Sequence, residues 1–175
     1  MKRLTVLVCA LCLFALSGCS PARLPLPDNS VLTVPAHPDA APLTAAVMDA
    51  VEYAVLDYVN RPDVVKPVEY LSWDLAGLYT AEERAALEEF MGGFGVPFDQ
   101  RGTASGRTLA ELQKGVELDV TVSPETTYAA QDYPLTVQVN VYKGAKGMGY
   151  FAYFQKSGRR YVLTECSVRE DYTRR

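Results

Sequence analysis

The hydrophobic period of this chain changes once, at Gly115. Before it, apolar residues recur at helical spacing; after it, they alternate. Val116, Leu118, Val120 and Val122 alternate with Glu117, Asp119, Thr121 and Ser123. Leu135, Val137, Val139 and Val141 alternate with Thr136, Gln138, Asn140 and Tyr142. A period of two puts one set of side chains in a core and the other outside, the mark of half-buried antiparallel strands. Gly149 to Lys156 and Tyr161 to Val168 continue the pattern, with turns at Gly144 to Gly147 and at Ser157-Gly158. A four-residue first turn sets Val141 opposite Tyr150, Val139 opposite Ala152 and Val137 opposite Phe154. A two-residue second turn sets Tyr161 beside Phe154 and Leu163 beside Ala152. All these apolar positions then share one face, as a buried sheet face requires.

The helices come first. Thr44 is placed to cap a helix running to about Asn60. Val47, Val51, Ala54, Val55 and Tyr58 form its stripe, with Asp49, Glu52 and Asp57 largely off it. Pro62 and Pro67 break the pattern, and Val68 to Leu78 has no clear period; Tyr70 and Trp73 there read as core or lid packing. Thr80-Ala81-Glu82-Glu83 is a capping box opening a helix to about Met91, ended by Gly92-Gly93. Thr108-Leu109-Ala110-Glu111 is a second capping box, and its short helix stops at Gly115. This order predicts an α+β domain with N-terminal helices packed on one face of a four-stranded antiparallel meander. The arrangement resembles the cone-shaped NTF2-like and cystatin-like folds. It also resembles the helix-then-meander domains of uncharacterised lipoproteins of Gram-positive bacteria, through Leu109-Ala110-Glu111-Leu112-Gln113-Lys114-Gly115, Gly149-Tyr150-Phe151 and the basic turn Lys156-Ser157-Gly158-Arg159-Arg160. That resemblance implies no activity.

The first twenty residues carry an address. Lys2 and Arg3 precede Leu4 to Leu16, an apolar run of 13 residues. This is the length of a signal h-region and short of the roughly 20 residues a membrane-spanning helix needs. Leu16-Ser17-Gly18-Cys19 follows and resembles the lipobox of bacterial lipoprotein precursors. The resemblance implies cleavage before Cys19, a diacylglycerol thioether on its thiol, and an extracytoplasmic chain held to the cell membrane, or to the outer membrane if the cell has one. Two or three acyl chains make a stable anchor where one does not. Residues 1–18 are then a lipoprotein signal peptide. Residues 19–42, with Pro21, Pro25, Pro27, Pro35, Pro38 and Pro42, read as an extended tether, and residues 43–175 as one domain. The mature chain of 157 residues can bury a core without a disulfide or metal.

Composition narrows the chemistry. Cys9 and Cys12 leave with the signal and Cys19 takes the lipid, so Cys166 remains without a disulfide partner. It reads as a packed thiol or a reactive one. The lone histidine, His37, falls in the tether, which removes nucleophilic triads and zinc sites from consideration. No EF-hand spacing and no cofactor motif is present. Lys143-Gly144-Ala145-Lys146-Gly147-Met148-Gly149 resembles a phosphate loop but leads into a strand, which makes it a hairpin turn. Charge is uneven: Cys19 to Asn140 carries 7 Lys/Arg against 18 Asp/Glu, net −11, and Val141 to Arg175 carries 8 against 3, net +5. The basic end is either a surface for an anionic partner or a solvated, guarded sheet edge. Net acidity with export argues against nucleic acid.

Two surfaces remain. Paired carboxylates, Asp74, Glu82 and Glu83 with Glu117, Asp119 and Glu165, would serve a hydrolase if a cleft brought two together. Glu165 falls opposite Tyr150 in this register, at a rim or inside a pocket. Tyr142, Phe151 and Tyr153 face away from the core and form a candidate binding surface, unless a helix or the Tyr172 tail covers them. The chain thus reads as a lipid-anchored cell-envelope protein with a non-catalytic module for a small ligand or an envelope protein. The alternative is a carboxylate-dependent hydrolase with a cleft between helices and sheet.

Overall fold

The computed structural model describes residues 32–64, 67–76, 79–100 and 107–173. The elements are α1 (Pro42–Asn60), β1 (Leu71–Trp73), α2 (Ala81–Gly92), β2 (Phe98–Asp99), α3 (Leu109–Leu112), β3 (Val116–Tyr128), β4 (Gln131–Lys143), β5 (Lys146–Ser157) and β6 (Arg160–Thr173). The signal segment and Cys19 lie outside the described residues. No helix among those described is long and apolar enough to cross a membrane.

The fold corrects the expectation of a four-stranded antiparallel meander. The sheet has six strands in the order β2-β1-β3-β4-β5-β6 and is mixed. β1 pairs in parallel with both β2 and β3. These added strands are three and two residues long, too short to show a period. Leu71, Ser72 and Trp73 are all buried, as an inner parallel strand requires, so they carry no alternation to read.

Register is corrected as well. Lys143 pairs with Lys146 around a two-residue turn, Gly144-Ala145, with Gly144 at φ +66. Tyr150 therefore faces Val139, Ala152 faces Val137 and Phe154 faces Leu135. The slip is two residues, so every side chain keeps its face. In the second hairpin Ser157 pairs with Arg160, and the ladder shifts between Tyr153 and Phe154. The extra residue there is Thr164, whose hydroxyl donates to the Tyr153 carbonyl at 3.2 Å. This bulge sets Glu165 opposite Tyr153. Its carboxylate accepts a hydrogen bond from the Tyr133 hydroxyl at 2.8 Å, away from Tyr150 and the core face.

α1 begins earlier than Thr44, with Pro42 in its first turn and Ala41 as an N-cap that offers no side-chain bond. Proline suits that position because its missing N–H would have no partner there. The expected stripe is buried, and so are Ala46, Met48, Ala50, Leu56 and Val59. The helix lies across β4, β5 and β6 and is wrapped nearly all round. Both capping boxes form. Glu83 N–H donates to Thr80 Oγ1 at 3.2 Å and Thr80 N–H to Glu83 Oε2 at 2.8 Å. These bonds hold the Glu83 carboxyl below its ordinary range. The same reciprocal pair joins Thr108 and Glu111.

Candidate ligand cleft

The described part of the proline-rich segment, residues 32–41, does not stand away from the domain. Leu32 is part of the core, and Thr33 N–H donates to the Phe94 carbonyl at 3.0 Å. Pro35 sits so close to Gly93 that a Cβ there would come within 2.8 Å of the Pro35 ring. The segment is a strap laid over α2 before it enters α1, and it brings His37 back to the domain.

His37 lands on α1. Its Nε2 lies 2.6 Å from Glu52 Oε2, and its Nδ1 lies 3.6 Å from Asp49 Oδ1. Asp49, Glu52 and Tyr53 stand three and four residues apart, so they share one helix face. The Nε2–Oε2 contact is a short hydrogen bond between imidazole and carboxyl group. The ring also meets Phe90 edge-on, at 5.1 Å between centroids. Glu52, expected off the buried stripe, is only 6% exposed. A carboxylate at that depth requires a charged or polar partner, and the histidine supplies it.

These residues line a cavity of about 330 Å³. The strap from His37 to Pro42 forms one wall, Asp49, Glu52 and Tyr53 the floor, and Arg160 to Leu163 of β6 the other wall. This is the lower end of the volume range of small-molecule sites. Carboxylates, two tyrosines and an arginine reach it from three separate elements. A second hollow of about 550 Å³ lies at the far end of α1, lined by Arg61, Lys143, Lys146 and Glu170 among others. Two of its cations are engaged: Arg61 Nη2 donates to Glu170 at 2.7 Å, and Lys143 Nζ donates to the Pro67 carbonyl at 3.2 Å. Burial pushes the Lys143 ammonium down from its ordinary range.

The aromatic trio singled out from sequence does not reach the cleft. Tyr142 and Tyr153 are buried, 8% and 6% exposed, and Phe151 is half-buried. The Tyr142 ring lies over Gly147. Tyr153 stacks on Tyr128 at 4.4 Å and meets Tyr133 at 4.9 Å. Glu125, at φ +51 and near Pro134 across the ladder, breaks the alternation. That break turns Tyr128 and Tyr133 toward Tyr153. The trio is therefore divided into packed rings rather than one open patch.

The proposed carboxylate pairs are also dispersed. Glu83 serves its cap. Glu117, 1% exposed, receives Arg107 Nη1 at 3.1 Å, while Arg107 Nη2 reaches Asp99 at 2.5 Å. The same guanidinium lies 4.4 Å over the Tyr70 ring. This knot ties β2, β3 and the segment before β1 together. Cys166 is half-buried, and burial first, then Asp57, pushes its thiol up to about 12. Tyr150, with its hydroxyl on Asp57 at 2.8 Å, is pushed up by the same two causes. Among the described residues no cluster of metal-ligating side chains forms.

No family model, no curated protein and no solved structure matches this chain. Its own geometry is what bears on function.

Proposed function

We propose that this is a lipid-anchored cell-envelope protein, held by diacylglycerol on Cys19, whose domain is a binding module for a small molecule taken up in the cleft between strap, α1 and β6. The observation that supports the binding role is the orientation of His37. Both ring nitrogens turn to carboxylates on α1, at 2.6 and 3.6 Å, so the imidazole clips the strap in place. The strap then acts as a fixed wall, and a fixed wall lowers the ordering cost of binding.

The anchor is tested by the mass of the membrane-extracted chain, wild type against Cys19→Ala. A diacylglycerol increment lost with the cysteine supports it; identical modification or identical membrane retention refutes it. The cleft is tested by native mass spectrometry of the chain released in mild detergent. Ala45 lines the cleft without joining the His37–Glu52 pair, and Ala45→Trp fills it. A small adduct carried by wild type and lost in Ala45→Trp supports the reading. An adduct on both, or on neither, overturns it.

A second reading, a carboxylate-dependent hydrolase, draws on one observation: Asp39, Asp49 and Glu52 line the same cleft between helix and sheet. It requires the retained molecule to change mass on incubation, and Asp49→Asn to stop that change.

A further inference from the structure

The turn joining β5 to β6 carries Lys156, Arg159 and Arg160 around Ser157-Gly158, and all five residues are exposed. Gly158, at φ +61, has open space where a side chain would stand. Several other cations among the described residues are tied down: Arg61 to Glu170, Arg107 to Asp99 and Glu117, Lys114 to Glu69. Lys156, Arg159 and Arg160 take part in no ion pair or hydrogen bond through their side chains among the described residues. Three unpaired cations on one protruding turn raise the potential locally in a chain of net charge −4. Guarding the edge strand accounts for Arg160, the first residue of β6, but not for Lys156 or Arg159. Ser157 and Arg160 form the last pair of the ladder, so Arg159 lies beyond the edge that would need guarding.

Position suggests the partner. β6 from Arg160 onward and the strap from His37 to Pro42 line opposite walls of one cleft. The strap is the route to Cys19, and the 13 residues from Cys19 to Leu32 reach at most about 45 Å even when fully extended. A chain lipidated at Cys19 therefore holds this turn within one short linker of a bilayer. Asp132, whose carbonyl accepts from Gln155 Nε2 at 3.2 Å beside the turn, has its carboxylate engaged by the Thr127 hydroxyl at 2.6 Å; Asp39, Asp49 and Glu52 line the cleft with Arg160, and Glu52 is occupied by His37.

We propose that the β5–β6 turn, through Lys156, Arg159 and Arg160, docks on the anionic headgroups of the membrane that carries the lipid anchor, fixing how the domain and its cleft stand over the bilayer. The inference rests on the lipid-anchor reading above. Each cation near an anionic leaflet strengthens binding by about fivefold, and three together by about a hundredfold, falling with salt.

The experiment uses the lipidated chain reconstituted in vesicles of neutral phosphatidylcholine, or of phosphatidylcholine with phosphatidylglycerol. Hydrogen exchange is followed in a peptide spanning residues 154–163. Exchange at least fivefold slower on the anionic vesicles is expected. The difference should vanish in high salt and in the triple variant K156Q/R159Q/R160Q. Equal exchange on both vesicle types overturns the proposal. Slowing by soluble poly(glycerol phosphate) on neutral vesicles, with none from phosphatidylglycerol, also overturns it, in favour of a wall polymer. Retention on neutral vesicles and the mass of Cys19 report the anchor separately, so its failure is distinguishable from failure of the docking surface.

Discussion

Removing the Arg107 guanidinium, by Arg107→Met, tests what holds the two parallel strands to the meander. Arg107 is 12% exposed at its side chain, Glu117 1% and Asp99 21%. The Asp99 arm is partly solvated and contributes about 0.5 to 1 kcal/mol. The Glu117 arm is different, because its carboxylate stays buried when Arg107 is removed, and breaking a buried pair costs about 3 to 5 kcal/mol. Loss of the contact with Tyr70 adds about 0.5 kcal/mol or more. The single variant should therefore lose about 4 to 6 kcal/mol, a large part of the 5 to 15 kcal/mol typical of a domain. Arg107→Met with Glu117→Gln leaves no buried charge and should recover about half of that loss. Urea unfolding of the wild type, both single variants and the double variant closes the cycle. A coupling energy of at least about 1.5 kcal/mol is expected. A coupling below about 0.5 kcal/mol, or an Arg107→Met cost below about 1 kcal/mol, would refute the claim that this ion pair joins the strands.

Three further outcomes are expected. The β3–β4 turn is Ala129-Ala130, with both residues at positive φ, +50 and +63, a conformation that suits Asn-Gly and strains alanine. Ala129→Asn with Ala130→Gly should add about 1 to 2 kcal/mol, raising the Tm by roughly 3 to 8 °C; an unchanged or lower Tm would refute that turn geometry. His37→Ala takes the imidazole from Glu52 and should cost about 1 to 3 kcal/mol, with faster hydrogen exchange across residues 33–41; exchange confined to its wild-type rate would show that the clip does not hold the strap. The Cys166 thiol, ordinarily near 9.0, is raised to about 12, and the Tyr58 and Tyr79 hydroxyls are raised from 10.0 to about 12. Above pH 9 the unfolded chain loses these protons before the folded one, so the stabilisation is complete below about pH 9 and is lost as pH rises to about 12. Urea midpoints measured across that range should fall, and Cys166→Ala should remove the portion that begins near pH 9.

Particular residues show how far the sequence could be read. Thr80 with Glu83 and Thr108 with Glu111 announce their helix starts because a cap is a local bond between neighbours three apart. Leu118, Val120, Val137 and Val139 reveal their face because alternation is local too. The pairing of Val139 with Tyr150 was not legible, since a slip of two residues leaves every face unchanged. The bulge at Thr164 was not legible either, and it moved Glu165 from the core side to the Tyr133 hydroxyl. Nor did the pattern mark Asp49 and Glu52 as cleft residues. On a helix they looked like solvated positions, and only the strap, arriving from fifteen residues earlier, gave Glu52 a reason to be buried.

By itself, then, the sequence determined what neighbouring residues settle among themselves: helix caps, the change of period at Gly115, the alternating faces of the long strands and the basic turn at Gly158. Tertiary structure decided the rest. It added β1 and β2, whose few residues form strands only because β3 offers β1 a partner and β1 offers one to β2. It folded the proline-rich strap onto α1 and made the cleft between them. These features depend on contacts between segments far apart in the chain, whose free energy comes from burying surface and pairing charge across that distance, and a local pattern of residues does not encode which distant partner will be met.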